Sequence, residues 1–388
     1  MSRLLVIAAD RVSTWVGKGE VVDRYFNPGA VFDEVHLLLL APGDDPPQGA
    51  LQRMVGTATL HVHRMPLPCR PFLRTLGWRP TLVRRMVRDA VARAEEVAPD
   101  LVRCHGADVN AMVAQELKAR RDIPYAVSLH INPIEDLARS ESWRLRLSVR
   151  LAQRMASLTL RDADLVLPVY RSIVPYLETL GVRRFDVAYN MLNAKNLRQK
   201  ATYRLHTPAR LISVGRQFEL KNPIAVIHAL ATIPGAELTL VGDGPIHETL
   251  VEQAENAGVG ARVRFLRSVP NDELCAMLAD SDLFVTHSEY WEISKAMLEA
   301  FLTGLPVVLN RRKGRPVPEL NEDLCLPVEN TPHEYATAID SLLADEHARR
   351  RLGSSARAEA ARRWAPEVAE RRFADLYRSV LASSKPEG

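Results

Sequence analysis

Four cysteines in 388 residues, at positions 69, 104, 275 and 325, are too few and too scattered for a disulfide framework. They form no C-x-x-C pair, which argues against a zinc site and against a dithiol redox motif. No run approaches the roughly 20 apolar residues that a membrane-spanning helix needs. The apolar stretch at Met1–Ala9 is too short for a signal peptide and Asp10 follows it at once, so it reads as a first strand. The expected location is therefore the cytoplasm. Excess charge is also scarce: 51 Lys and Arg against 47 Asp and Glu leave a formal net charge of +4, too little to argue for a nucleic-acid partner. There is no low-complexity tract, and no repeat beyond an alternation of strand-like and helix-like segments.

What is present is a globular composition, 47% hydrophobic and 25% charged, on a chain too long for one ordinary core. Two domains of somewhat under two hundred residues each are expected. The reading is organised around Asp282–Asn310. Leu283-Phe284-Val285 suits a buried parallel strand. After a loop, Ser294 can cap a helix favoured by Ala296, Met297, Leu298 and Ala300. Gly304 and Pro306 stop that helix before a strand at Val307-Val308-Leu309. The loop therefore lies at the carboxyl end of a strand, where open α/β sheets bind ligands, and the helix N-terminus offers N–H groups to an anion. Glu299, early in the helix, could grip a neutral diol beside that anion, and its position on a helix beside an anion site would keep the carboxylate ionised. A phosphate next to a ribose has that shape.

Upstream, Leu211–Val214 reads as a strand and Pro223–Ala231 as a helix, with Gly215, Arg216 and Lys221 on the loop between. Two cations at a strand end would neutralise a departing diphosphate; alternatively they are exposed loop cations. Gly242-Asp243-Gly244-Pro245 is a tight turn after the strand Leu238–Val241. Near the start, a loop over residues 14–29 carries Gly17-Lys18-Gly19, which either approaches a ligand with its backbone or is a flexible surface turn. Strands at Asp100–His105 and Pro124–His130 flank a helix at Asp108–Ala119. Each ends in a histidine, which faces a ligand if the strand end opens on a cleft. Ala163–Pro168 and Val187–Asn190 read as the last strands of the first half. Glu319 follows the basic loop Arg311–Arg315, and the tail from Pro332 reads as helical with a break at Pro366. The Arg-rich segments 70–94 and 143–158 could lie on an anionic membrane or hold an anionic acceptor; the competing reading is core-packing helices with a solvated Arg face.

The organising stretch resembles the donor-site segment of family-4 retaining glycosyltransferases of the GT-B architecture. Their pattern is Ser, two residues, Glu, seven residues, Glu-Ala, then Gly-x-Pro-Val. Ser288, Glu299, Ala300, Gly304, Pro306 and Val307 fall in register, whereas the earlier glutamate aligns with Trp291 and Glu292 sits one place late. G-R with K five residues on, G-D-G-P, and the order PDLV-x-x-HG … IPY-x-V-S-L-H extend the resemblance over nearly the whole chain. It implies two Rossmann-like, doubly wound α/β domains facing across a cleft, with a C-terminal helix crossing back to the first. The expected boundaries are 1–190 for the acceptor-side domain, 191–208 for the connection, 209–365 for the donor domain and 366–388 for the returning helix.

By resemblance the activity is transfer of a sugar from a nucleotide-diphosphate sugar, of hexosyltransferase type, with retention and without a metal or other cofactor. The resemblance assigns Arg216 and Lys221 to the diphosphate and His130 to the sugar. It sets Gly17, Gly19, Gly215, Gly242, Gly244, Ser294, Glu299 and Glu319 around the donor. In the family the departing phosphate is thought to help deprotonate the acceptor. The role of the missing glutamate falls to a shifted Glu292, to Glu289, or to Trp291 stacked on a sugar face. Two other classes remain on the same architecture: a sugar-nucleotide epimerase or hydrolase, and a silent donor-binding protein. The acceptor, small-molecule, lipid-linked or glycan, is left open.

Overall fold

Strands buried on both faces of a parallel sheet carry near-continuous apolar runs, and this chain builds two such sheets. The computed structural model describes residues 1–67, 85, 87–130, 154, 156–313 and 317–384. Within these, contacts divide the chain into two compact units. The first comprises 1–17, 21–191 and 369–388; the second comprises 18–20 and 192–368.

The first unit contains β1 (Arg3–Ala8), α1 (Val12–Gly17), β2 (Glu34–Leu39), α2 (Gln48–Val55), β3 (Thr59–Arg64) and α3 (Arg88–Val97). β4 (Leu101–His105), α4 (Val109–Arg121), β5 (Tyr125–Leu129), β6 (Leu165–Pro168) and α5 (Val174–Leu180) follow. The strands are all parallel in the order β3-β2-β1-β4-β5-β6. The period-two alternation sends Leu4, Val6, Val35 and Leu37 to one face and Leu5, Ile7 and Leu38 to the other, making one core on each side.

The second unit runs β7 (Ala209–Val214), α6 (Ile224–Leu230), β8 (Ala236–Val241), α7 (His247–Asn256), β9 (Val263–Leu266) and α8 (Asn271–Asp280). It continues with β10 (Leu283–Thr286), α9 (Lys295–Thr303), β11 (Val307–Asn310), β12 (Leu326–Val328), α10 (Pro332–Ala344) and α11 (Glu346–Trp364). Its parallel order is β12-β11-β10-β7-β8-β9. The segment before β7 is tied down here: Tyr203 Oη donates to Gly304 O at 2.9 Å, and the buried Arg349 donates to Tyr203 O.

Trp364, stacked on Phe301 at 6.1 Å, ends α11 within the second unit's core. Pro366 then interrupts the helix, because proline cannot donate to the ladder. The next helix, α12 (Pro366–Ser383), sets Ala369, Phe373, Tyr377 and Val380 into the first unit's core. It also cages the buried Arg103 of β4. The guanidinium lies 5.0 Å from the Phe373 ring and 5.2 Å from Tyr25, and Nη1 donates to Tyr25 O at 2.8 Å.

The expected returning helix and the two-sheet architecture are thus present. Two local expectations change, and one strand was not expected. The loop over 14–29 begins as helix, since α1 occupies Val12–Gly17 and the Asp44 carboxylate accepts from Val12 N and Ser13 N at its start. Val187–Asn190 is not a strand: pairing with β6 is limited to a bridge at Phe185, and Ala188 N then reaches Pro168 O at 3.0 Å. β12, three residues including a proline, was too short to read from periodicity. Most of the Arg-rich segments 70–94 and 143–158 lies outside the described residues. Among those described, no helix is long and apolar enough to cross a membrane, and Cys104, Cys275 and Cys325 are free and buried.

Candidate functional site

In the second unit the chain leaves β7 toward β8 and β9, then returns to lay β10 on the other side of β7. The connections from β7 and β10 therefore part in opposite directions. Such a switch point leaves a crevice at the carboxyl ends of the two strands. A pocket open to solvent lies there. Ser213, Val214 and Gly215 come from the end of β7, Thr286, His287 and Ser288 from the end of β10, and Lys221, Glu292 and Ser294 from the two loops.

Lys221 Nζ donates to Glu292 Oε1 at 2.6 Å, with the two side chains only 19% and 16% exposed. The ammonium also lies 5.3 Å from the Tyr290 ring. Lysine has three N–H donors, so the bond to Glu292 leaves others for an anion. Ser294 caps α9 as expected, its Oγ accepting from Met297 N at 3.2 Å, and Gly304 ends the helix in the left-handed conformation at φ 84°. Helix geometry leaves the first N–H groups of α9 without intrahelical acceptors, adding partial positive charge to the Lys221 side of the pocket. Arg216 stands exposed at the end of β7, its guanidinium 5.4 Å from the Phe218 ring, and is not among the pocket-lining residues.

The loop from β10 to α9 is held by a polar network that periodicity could not reveal. Asn222 N donates to His287 Nδ1 at 3.1 Å, so Nε2 carries the ring proton and gives it to Glu289 Oε1 at 3.1 Å. Burial keeps the His287 pKa below its ordinary value, with Glu289 pulling the other way. Asn310 donates to the same Glu289 oxygen at 3.1 Å and accepts from Ser288 N at 2.9 Å. Arg312 closes the far side, Nε donating to Tyr290 O at 2.8 Å, and its own burial lowers its pKa to about 10. Glu289 is thereby part of the framework, while Glu292 lines the pocket; Trp291 is half-buried and does not line it. The one signal available in the sequence was the crowding of His287, Glu289, Asn310 and Arg312 about two strand ends.

The glycines divide by what surrounds them. A Cβ on Gly242 (φ +145°) would meet Gly215 O at 1.9 Å, and one on Gly244 would meet Gln217 O at 2.0 Å. These two allow the loops after β7 and β8 to meet backbone to backbone, fastened by Gln217 N donating to Asp243 O. Gly215 faces open space within the pocket wall. Gly17 also has nothing near it, whereas Gly19 (φ +68°) lies against Asn271 N.

Glu299 and Glu319 are not among the pocket-lining residues. Glu299 is 4% exposed and accepts from Asn271 Nδ2 at 2.8 Å; Asn271 in turn accepts from Asn196 at 2.8 Å. Burial pushes its pKa to about 7, against the opposing pull of Asn271 and Lys295. Desolvation outweighs the nearby positive charge, which the expectation of an ionised carboxylate had not weighed. Glu319 is buried, and its carbonyl accepts from Arg363 at 3.4 Å. In the first unit, His130 follows β5, with Nδ1 3.2 Å from Asn190 Oδ1; Asn190 Nδ2 donates to Tyr170 Oη at 3.0 Å. The His130 ring is parallel to that of His105 at 5.7 Å, and burial holds the His105 pKa well below its ordinary value.

Residues 196–359 match the family model described as "Glycosyl transferases group 1", and residues 31–190 match "Glycosyl transferase 4-like domain". A lipopolysaccharide core biosynthesis glycosyltransferase, LpsE, of Rhizobium meliloti is 32% identical over 228 residues, 58% of this chain and 65% of that protein. A D-inositol 3-phosphate glycosyltransferase of Corynebacterium glutamicum is 29% identical over 195 residues, 47% of this chain and 46% of that protein. The chain thus spans between about half and two thirds of the length of these curated relatives. Among solved structures, sucrose-phosphate synthase from Thermosynechococcus elongatus superposes with TM-score 0.74 at 18% identity, covering 99% of this chain and 100% of that one. HepE from Anabaena, in complex with UDP and glucose, gives 0.72 at 20% identity, covering 98% and 100%.

Proposed function

The chain belongs to the family-4 glycosyltransferases of the GT-B architecture, and from that premise we propose that it transfers a sugar from a nucleotide-diphosphate sugar to an acceptor. The transfer is of hexosyltransferase type, retains the anomeric configuration and needs no metal. One observation carries the reading: the Lys221–Glu292 pair, 2.6 Å long, stands beside the capped N-terminus of α9 at the β7/β10 switch point. A carboxylate and an ammonium in contact suit a ligand that carries an anion next to hydroxyls.

In this reading the diphosphate meets Lys221, Arg216 and the first N–H groups of α9, and the glycosidic oxygen departs as this positive charge takes up the charge that develops. Glu292 keeps Lys221 oriented and accepts from a hydroxyl of the donor sugar, the role left open by Trp291. Gly215 lets the donor approach the backbone. Glu299 grips the ribose diol, His130 contacts the transferred sugar, and the departing phosphate takes the acceptor's proton. Solved relatives bound to UDP or UDP-glucose lend the donor class support.

Two experiments test the reading together. A thermal-shift screen of nucleoside diphosphates should find one that stabilises the protein, because a ligand that binds only the native state raises the melting temperature. Sugar nucleotides of that base, incubated with and without candidate acceptors, should then be consumed with net transfer only when an acceptor is present. Acceptor-independent epimerisation or hydrolysis, or saturable binding without turnover, would refute transfer.

A further inference from the structure

Three imidazoles and a carboxylate gather on the outer strands of the first unit, away from everything used above. Period two places Glu34 and His36 on one face of β2, and His61 and His63 on one face of β3. The parallel register sets His36 opposite His61 and Leu38 opposite His63. The His36 ring stacks on His61 at 4.4 Å and runs nearly parallel to His63 at 5.3 Å. One carboxylate oxygen of Glu34 and one ring nitrogen each from His36 and His61 all lie within 4.8 Å of one another.

The hydrogen bonding leaves a conflict at His36. Its Nδ1 is 3.0 Å from His63 Nε2, so one of these nitrogens donates to the other. If His36 Nδ1–H donates, the ring's Nε2 is a lone pair 3.6 Å from Glu34 Oε2, acceptor facing acceptor. If His63 donates instead, His36 Nε2–H faces that oxygen at a distance too long for a hydrogen bond. Either way the buried Nε2 has no hydrogen-bond partner among the described residues, and a buried polar atom left so is costly. Arg3 Nε donates to Glu34 Oε2 at 3.1 Å, which leaves Oε1 for another ligand.

We propose that Glu34, His36 and His61 form a site for a divalent transition metal of the zinc type, with His63 the positioning residue that fixes the His36 ring. With His36 Nδ1–H given to His63, the Nε2 lone pair points at the gap shared with Glu34 and His61. An imidazole accepting a metal on one nitrogen while its other N–H is held by a neighbour is the usual arrangement at such sites. Two nitrogens and a carboxylate oxygen suit zinc, nickel or copper, whereas magnesium and calcium prefer all-oxygen sets. The bound ion would clamp β3 to β2, the strand it pairs with in the sheet order. Its role is structural and separate from the proposed transfer.

The test uses the full-length protein without an affinity tag, stripped with a chelator and titrated calorimetrically with Zn(II) alone. The expected result is one ion per chain, with a higher thermal unfolding temperature on loading. His61→Ala alters an exposed side chain and should leave the apo fold intact. It should weaken binding by more than the about 10–100-fold expected for losing an orienting partner, and abolish the thermal shift. His63→Ala should weaken binding within that 10–100-fold range and alter the visible spectrum of the Co(II)-loaded protein, which a merely structural role would not do. Substoichiometric binding in the wild type, or wild-type affinity in His61→Ala, overturns the proposal.

Discussion

Glu292→Ala isolates what the pocket's central contact contributes. In the wild type the 2.6 Å bond from Lys221 is charge-assisted and mostly shielded from water, so its loss should cost about 1.5–3 kcal/mol. The ammonium left behind sits over the Tyr290 ring without its carboxylate, and is free to swing out of the pocket. If Glu292 also meets the donor sugar, the loss falls on the transition state and turnover drops by roughly 10- to 150-fold. The assay is transfer from the sugar nucleotide identified by the thermal-shift screen, with kcat and KM measured separately and the melting temperature of the variant as the fold control. Glu289→Ala serves as the contrast. Glu289 accepts from His287 and Asn310, so its removal should lower the melting temperature, whereas Glu292→Ala should lower turnover with the fold intact. Full turnover in Glu292→Ala, together with a large kinetic defect in Trp291→Ala, would refute the shifted-glutamate reasoning and put ring stacking in its place.

Four further outcomes can be checked. Arg216→Ala should reduce turnover with little change in melting temperature, and Lys221→Ala should reduce turnover in a protein that still folds, with a lower melting temperature because Glu292 loses its partner; two fully active variants would place the diphosphate elsewhere. Gly242→Ala, which drives a Cβ into Gly215 O, should destabilise the protein by about 1–3 kcal/mol in chemical denaturation, whereas Gly215→Ala should be stable, with any loss confined to nucleotide affinity. The Glu299 carboxyl has its pKa raised by burial from 4.5 to about 7, so the folded state holds the proton more tightly than the unfolded chain. The contribution of this group to stability should therefore be fully present below about 4.5 and be lost as pH rises through about 7. Glu299→Gln should flatten that part of the profile, while weakening nucleotide affinity by calorimetry. His130→Ala should lower transfer far more than affinity for the nucleoside diphosphate alone; a loss of melting temperature without a kinetic defect would leave it a core histidine held by Asn190.

The sequence by itself determined the parts that local rules govern. Apolar runs such as Leu283–Val285 and Val307–Leu309 become strands because a sheet covered on both faces accepts little else. Ser294 and Gly304 set the ends of α9 because cap chemistry acts within one turn. Lys221 and Ser294 were legible as candidate residues from their places at a strand end and a helix start, which parallel topology turns toward one crevice; Glu292 came only from the family resemblance, beside Glu289 and Trp291. Only tertiary structure decided the rest. The choice between Glu289 and Glu292 depends on where His287 and Asn310 arrive, from another part of the loop and another strand. The protonation of Glu299 depends on how deeply α9 is covered, and burial has no period in a sequence. Gly242 and Gly244 read as a turn, yet each is required by a carbonyl about thirty residues away. The imidazoles of β2 and β3 are separated by some twenty-five residues and meet only because parallel pairing puts His36 opposite His61.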